Sequence, residues 1–590
     1  MQQQITPLQK GAFQAAICVF NSKYIHSSLA PWCLLAGVRA YGTAGVQAHV
    51  VESTINRPVQ HMLDQLLALK PQAVTLSCYI WNITQVQQLA AQLRSTLPHT
   101  AIILGGPEVS YNARQVLAEN AAVDYIISGE GERPLAQLLD ALAQKKSPEQ
   151  IEAMAIDGLC LRTQNGILVA PPNTPQDEPP SPYLPEYFAA LQGRIAYLET
   201  SRGCPYSCAF CLSGRCGTVR FYSMERAKAE ILLLANSGAK TVKLVDRTFN
   251  CNRARAKELW RFVIENYGTK IPGDVCFHFE IAGDICDEET LQLLATAPVG
   301  SIQLEIGLQS FNPVTLQAIR RKTDILRLQQ NIRSLLAPGN IHVHIDLIAG
   351  LPYEDYDSFA NSFNIAYALQ PHMLQLGFLK LLHGALLRQT AEQNGCVYSQ
   401  TPPYEMSHGK WITKAQMQSL HQTEDALERL YNAGRFRRTV AYVLGVCGVT
   451  PFTLYSGIGG FVAKQTTVEK IALDDYTALV WDYFSALEQV DKAALRDAMV
   501  CDRLSTINTG RLPDCLKVSD IRLKQAVHAL GLLPQHRLKK GTKRGAALLY
   551  GQNALVYADY NTEKNHVTTQ YKLHTLPLEQ LLSSAQEEEK

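Results

Sequence analysis

Short apolar runs alternate with helix-period stretches through the first ~145 residues, and the same alternation resumes near residue 196. In the first stretch strands are expected at 15–20, 46–51, 73–77, 101–104 and 125–127. Helices are expected at 31–41, 59–69, 84–97, 113–119 and 134–143. Five strand–helix units of this size imply an α/β fold: an open parallel sheet with helices on both faces and ligands beyond the carboxyl ends of the strands. The loops at those ends are 21–29, 77–81, 105–108 and 129–132. They carry glycines and small polar residues, which suit either close approach to a ligand or plain turns.

The prolines at 171–172, 179–180 and 182 mark an extended connection. Beyond it, strands are expected at 196–199, 241–245, 276–281, 301–306, 342–347 and 373–378. Six units are too few for a closed eight-stranded barrel, so a partial (β/α)6 barrel of the TIM type is expected, with its chemistry at the C-terminal strand ends. From about residue 423 long helical patterns dominate, including 425–432 and 476–488, with a late hairpin over 546–550 and 554–557. The expected domains are therefore 1–145, a linker 146–190, 191–422 and a mainly helical 423–590. The basic run 537–544 and the segment 509–513 suit either a solvated surface or contact with an anionic substrate. The tail 586–590 is expected to fray.

Composition narrows the class. Apolar residues make up 46% and charged residues 18%, enough for packed cores. Lys and Arg number 55 against 53 Asp and Glu, a net charge of +2, which argues against a globally basic nucleic-acid coat. No run reaches the ~18 apolar residues of a membrane span. The start Met1-Gln2-Gln3-Gln4 lacks the features of a signal peptide. A cytoplasmic protein with neither a membrane nor a nucleic-acid partner is expected.

The fifteen cysteines are scattered, except for Cys204, Cys208, Cys211 and Cys216. The first three have the spacing C-x3-C-x2-C, directly after the expected strand 196–199. In a reducing compartment such bunching suits metal or redox chemistry better than disulfides. Thiolates suit zinc, with Cys216 as a fourth ligand, or an iron–sulfur cluster held by three cysteines with one iron open to a non-protein ligand. Under the second reading Cys216 is just a small core residue.

The stretch Gly203-Cys204-Pro205-Tyr206-Ser207-Cys208-Ala209-Phe210-Cys211 resembles the signature loop of the radical S-adenosylmethionine superfamily. The resemblance implies a [4Fe-4S] cluster on Cys204, Cys208 and Cys211, with S-adenosylmethionine on the open iron and cleaved to a 5′-deoxyadenosyl radical. Further segments resemble that family in order: Phe210 before the third cysteine, Asp246 in D-x-x-F, and Glu280 ending 276–281. Glu305, Gln309 and Ser310 stand in E-x-G-x-Q-S, Arg320 in R-x-x-T, and Asp346 and Gly350 in D-x-I-x-G-L-P. These are the residues implied to contact S-adenosylmethionine.

The preceding α/β region resembles the flavodoxin-like (Rossmann-type) cobalamin domain of class B members, the subset here carrying an added C-terminal domain of unknown function. Ser77, Gly105, Gly106, Gly129 and Glu130 stand where that family holds cobalamin, and His26 is the loop histidine. The family's D-x-H-x-x-G loop is here Tyr24-Ile25-His26-Ser27-Ser28-Leu29, without its Asp and Gly. His26 therefore suits a hydrogen bond to backbone or corrin better than cobalt ligation.

The implied function is methylation of an unactivated carbon in a small-molecule or peptide substrate, with flavodoxin or ferredoxin as electron donor. Alternatives are a cobalamin-dependent rearrangement or ring contraction, a tRNA methylthiotransferase using Cys18, Cys33 and Cys78, and a non-enzymatic cobalamin sensor.

Overall fold

A computed structural model describes residues 12–466, 470–538, 541–560 and 564–588. Met1–Gln4, Lys539 and Lys540 of the basic run, Glu589 and Lys590 of the tail, and the side chain of Cys216 lie outside the described residues. The chain forms two compact units. One comprises Met1–Thr296, Gln317–Thr323 and Phe378–Lys410. The other comprises Ala297–Leu316, Asp324–Gly377 and Trp411–Lys590.

The first unit is built on a seven-stranded sheet of β1 (Gln14–Asn21), β2 (Gln47–Thr54), β3 (Ala73–Ser77), β4 (Ala101–Gly105), β5 (Tyr125–Ile127), β6 (Leu159–Thr163) and β7 (Gly166–Val169). Their order is β2-β1-β3-β4-β5-β6-β7. The first five pair in parallel. β1 is buried at every position, as befits a central strand covered on both faces. The helix Ile83–Thr96 buries Ile83, Val86, Leu89, Ala90 and Leu93, a single stripe at helical spacing. Strand order reverses between β1 and β3, the switch point at which such sheets open a crevice.

The expected linker 146–190 is in part folded. The helix Pro148–Ala153 and the antiparallel strands β6 and β7 extend the first sheet, making it mixed rather than wholly parallel. Leu159, Cys160 and Leu161 enter its core, so the extended connection begins only after Val169.

Also in this unit, β8 (Ala196–Leu198), β11 (Thr241–Leu244) and β12 (Cys276–Ile281) pair in parallel, with β11 in the middle. Between β8 and β11, β9 (Ser201–Gly203) and β10 (Val219–Phe221) form a short antiparallel ribbon. The returning segment Phe378–Lys410 packs here as well. Its Tyr404 hydroxyl donates to the buried carboxylate of Glu108, and Arg388 lies 4.8 Å over the Tyr404 ring.

The second unit holds the parallel strands β13 (Ile302–Gln309), β14 (His342–Ala349) and β15 (Met373–Phe378), the last reaching one residue past the unit's edge. The six expected barrel strands thus fall three to each unit. Val397–Tyr398 (β16) and Met406–His408 (β17) form a small ribbon in the returning segment. The C-terminal part of the second unit is helical, followed by an antiparallel sheet of β18 (Arg544–Leu549), β19 (Ala554–Asp559) and β20 (His574–Pro577). Among the described residues no single helix is long and apolar enough to cross a membrane.

Asp502 locks the helical part together. From the helix Lys492–Thr506 its carboxylate accepts from the Thr439 N–H at 2.9 Å, the Thr439 hydroxyl at 2.8 Å and the Arg438 N–H at 3.1 Å. These donors lie in the first turn of the helix Arg437–Cys447. Burial nevertheless pushes the Asp502 carboxyl up to about 6. The unfolded chain releases this proton near pH 4 and the folded chain near pH 6. The group's contribution is therefore full below pH 4 and lost as pH rises through 6, by about 3 kcal/mol. Denaturant midpoints measured between pH 4 and 7 should fall across that window, and Asp502→Asn should make the fall shallower.

Candidate functional site

The three clustered cysteines follow β9 in the first unit. Gly203 adopts φ +101°, and a Cβ there would meet the Thr218 carbonyl oxygen at 2.0 Å, so only glycine admits this turn. Cys204 and Cys208 are each 8% exposed, Cys211 is half-buried, and all three are free thiols. The loop is clamped from both sides: the Ala209 N–H donates to the Ile319 carbonyl at 2.8 Å, and the Leu387 N–H donates to the Ala209 carbonyl at 2.9 Å.

Each sulfur has a polar neighbour. Arg321 Nη1 lies 3.8 Å from Cys208 Sγ, the Ser213 N–H donates to Cys211 Sγ at 3.4 Å, and Thr248 Oγ1 lies 3.5 Å from Cys204 Sγ. Burial pushes the Cys208 thiol up, and the Arg321 guanidinium opposes that. Neighbours of this kind favour thiolates, so this donor set fits a thiolate-bound metal centre. Arg321 also stacks 5.5 Å over the Tyr206 ring. Arg320, the arginine singled out in the sequence, is exposed with φ +57°.

Asp246 lies just past β11, and both its oxygens are engaged with the base of the cysteine loop. They accept from the Thr200 N–H at 2.9 Å, the Thr200 hydroxyl at 2.7 Å and the Ser201 hydroxyl at 2.5 Å. Asp246→Ala strips three buried donors of their acceptor and should cost ~1–3 kcal/mol per donor left unpaired. A lower denaturant midpoint together with reduced iron uptake is the expected outcome. Phe210 is half-buried, and Glu280 lies 3.8 Å from Lys243 Nζ and 4.0 Å from Arg247 Nη1.

The other residues expected around S-adenosylmethionine belong to the second unit. β13 and β14 set Glu305 opposite His344 and Gly307 opposite Asp346. The ligating atoms of Glu305, His344 and Asp346 lie within 4.8 Å of one another, His344 Nε2 being 2.8 Å from Asp346 Oδ1. Gln309, at φ +75°, is buried, and Gly350 has φ +88°. The Ser310 hydroxyl donates to Glu354 at 2.6 Å, and burial pushes the Glu354 carboxyl up to about 7.

A cavity of about 620 Å³ in the first unit opens at the β1/β3 switch point. Its walls include His26, Ser77, Gly105, Gly106, Gly129 and Glu130 from the first sheet's loops. Tyr197, Glu199, Arg202, Lys243 and Glu280 border it from β8, β9, β11 and β12 and their ends. Gly106, at φ +108°, could carry no Cβ, which would meet the Cys78 carbonyl at 2.5 Å. A Cβ on Gly105 would meet only the Ile127 carbonyl, at 3.4 Å. Thr75, at the cavity wall and 3% exposed, has a buried hydroxyl without a protein partner. A buried orphan hydroxyl is costly unless a ligand satisfies it. Small residues, an open glycine and this hydroxyl fit the buried tail of a large cofactor such as cobalamin. Tyr79 and Trp81, stacked at 4.4 Å, add an aromatic wall.

His26 Nδ1 lies 2.7 Å from the Tyr197 hydroxyl. Burial, with Lys23, Lys243 and Arg194 nearby, holds the imidazole below its ordinary value and hence neutral. Cys18 and Cys78 lie in the apolar core of the sheet, and Cys33 is buried within the helix Ala30–Tyr41. Cys18 and Cys78 are core side chains, whereas Cys33 also borders the cavity.

Three family models match the chain in succession: "B12 binding domain" over residues 16–139, "Radical SAM superfamily" over 198–366, and "Protein of unknown function (DUF4080)" over 392–538. The chain carries a B12-binding domain, a radical S-adenosylmethionine domain and a DUF4080 domain, in that order. The cofactors of the cobalamin-binding radical S-adenosylmethionine proteins are a [4Fe-4S] cluster, S-adenosylmethionine and cobalamin.

The cobalamin-dependent radical SAM methyltransferase TokK of Streptomyces tokunonensis is 27% identical over 321 residues, covering 51% of this chain and 45% of TokK. The chain thus spans about half the length of the relatives it matches. Among solved structures, the cobalamin-dependent S-adenosylmethionine radical enzyme OxsB aligns with a TM-score of 0.59 at 13% identity, covering 83% of this chain and 78% of OxsB. The radical S-adenosylmethionine methyltransferase TsrM from Kitasatospora setae aligns at 0.53 with 18% identity, covering 66% and 76%. These two likenesses show that this chain shares their fold.

Sequence reading missed Thr75, Tyr79, Trp81, Tyr197, Arg202, Arg321 and His344. A signal existed for Arg202, which immediately precedes Gly203-Cys204.

Proposed function

We propose that the protein is a cobalamin-dependent radical S-adenosylmethionine methyltransferase that acts on an unactivated carbon of a small-molecule or peptide substrate. Its electrons would come from a flavodoxin or ferredoxin in the reducing cytoplasm. One observation carries the reading. The loops of the cobalamin-type sheet and the strand ends around the cysteine loop border a single cavity within one compact unit. Radical methylation needs that arrangement, because the group that activates the substrate and the group that carries the methyl must reach the same carbon.

When bound, the cluster supplies the electron that cleaves S-adenosylmethionine, and cobalamin supplies the transferable methyl group. The chain's own residues bind, orient and shield. Cys204, Cys208 and Cys211 would hold three irons and leave the fourth open. Ser77, Thr75 and the Gly105–Gly106 backbone would hold the cobalamin tail. In the first unit Phe210, Asp246, Glu280 and Arg320 remain proposed surroundings of S-adenosylmethionine, Asp246 acting through the loop it anchors. The aromatic pair Tyr79 and Trp81 would exclude water from one wall of the cavity.

The test is anaerobic reconstitution with iron, sulfide and cobalamin, then incubation with methyl-labelled S-adenosylmethionine, a reductant and a panel of candidate substrates. Label in a product together with 5′-deoxyadenosine is the expected result. Deoxyadenosine with an isomerised or ring-contracted product and no label would replace methylation with rearrangement. Bound zinc without acid-labile sulfide would end both readings.

A further inference from the structure

Within the first unit a shielded guanidinium joins the two loops on which the proposed chemistry depends. Arg202 stands two residues before Cys204, on β9. Its Nε donates to Glu199 Oε2 at 2.8 Å, its Nη2 donates to Glu132 Oε1 at 2.6 Å, and its Nη1 donates to Glu130. Arg220, opposite Arg202 across the β9/β10 ladder, donates to the same Glu130 oxygen at 2.7 Å. The Tyr222 hydroxyl donates to Glu199 at 2.6 Å. The side chains of Arg202 and Glu132 are only 17% and 8% exposed.

Taking this many charges out of water costs several kcal/mol per ion, and apolar side chains of equal volume would pack there at less cost. The cluster of charges is therefore poorly explained as a stabiliser and well explained as a fixture. A planar guanidinium can hold three carboxylates at set angles, which an ammonium group cannot. The loop it grips is tied down on its other side: the Glu130 N–H donates to the Asn173 carbonyl at 3.0 Å, and the Asn173 side-chain amide donates to the Glu130 carbonyl at 2.7 Å. A displacement at one end of this connection is therefore felt at the other.

We propose that Arg202 is a positioning residue that registers the cysteine loop against the loop 129–132, so that cluster binding and cobalamin binding are energetically coupled. The inference rests on the cofactor reading above. By reciprocity, a cluster seated on the cysteines tightens cobalamin binding by the factor by which cobalamin tightens the hold on the cluster.

The experiment is a titration of the full-length protein with aquacobalamin, followed by visible absorbance, in cluster-free and anaerobically cluster-loaded forms. Wild type is expected to bind ~10-fold more tightly when cluster-loaded, within the usual range of such couplings. Arg202→Lys is expected to reduce the ratio below ~2-fold. Because that variant leaves carboxylates short of donors, a second one is needed. The triple variant Arg202→Gln, Glu130→Gln, Glu132→Gln removes charge from both sides, should melt near wild type, and should also lose the coupling. Equal affinity with and without the cluster in wild type overturns the inference, as does full coupling in the triple variant. Wild type that takes up neither cofactor overturns the functional reading itself. Uptake of both, independently of each other, overturns the coupling alone.

Discussion

Replacing Cys204, Cys208 and Cys211 together by alanine will leave reconstituted protein without acid-labile sulfide and with 5′-deoxyadenosine formation reduced by ~10³-fold or more, because every later event depends on the electron delivered there. The fold should survive. The loop's clamps are backbone hydrogen bonds of Ala209 to Ile319 and Leu387, and Asp246 still holds Thr200 and Ser201. Circular dichroism and melting close to wild type, beside lost sulfide, are the expected combination. Substantial deoxyadenosine from the triple variant would remove the cysteines from the chemistry.

The second large effect belongs to Gly105→Leu. Gly105 lies at the C-terminal end of β4 and lines the cavity, where a Cβ has ordinary contact with the Ile127 carbonyl and nothing else within 4 Å. A leucine side chain would therefore extend into the space that the cobalamin tail is proposed to fill. Overpacking a preformed site costs ~1–3 kcal/mol or more, so aquacobalamin affinity should fall by ~10- to 100-fold with little change in melting. Gly106→Ala makes a useful contrast. Its Cβ would collide with the Cys78 carbonyl at 2.5 Å in a left-handed backbone, so stability should suffer along with affinity. Unchanged cobalamin affinity in Gly105→Leu would move the cofactor elsewhere.

The alternating architecture was legible because its signals are local. β1 reads as a continuous apolar run because it is buried on both faces, and β3 and β12 have the bounds their apolar runs imply. β6 and β7 were hidden among prolines and glycines. The apolar content of Leu159-Cys160-Leu161 is too short to outweigh its surroundings, and only pairing with β5 makes it a strand. β20 is likewise a strand through its pairing with β19. The bunching of the cysteines was legible through spacing, and the resemblance implied the cluster they are proposed to hold. Arg321 rather than Arg320 reaches Cys208 because Arg320 takes a positive φ, a feature that no pattern of residue types announces. Thr75 and Tyr197 matter through partners or spaces contributed by distant segments, and a single sequence does not encode those adjacencies in any short window.

The first compact unit includes Phe378–Lys410, yet the chain builds Asp324–Gly377 for the other unit before it reaches that segment. On the ribosome, the cavity-bearing half therefore cannot be finished when its own N-terminal residues emerge. Glu108 waits for Tyr404, and the Ala209 carbonyl waits for Leu387, until translation has passed residue 410. Domains ordinarily complete themselves in order of synthesis. Here a nascent chain must keep an unfinished first unit soluble while Asp324–Gly377 is made, and the cysteine loop gains its last clamp only when Leu387 has emerged.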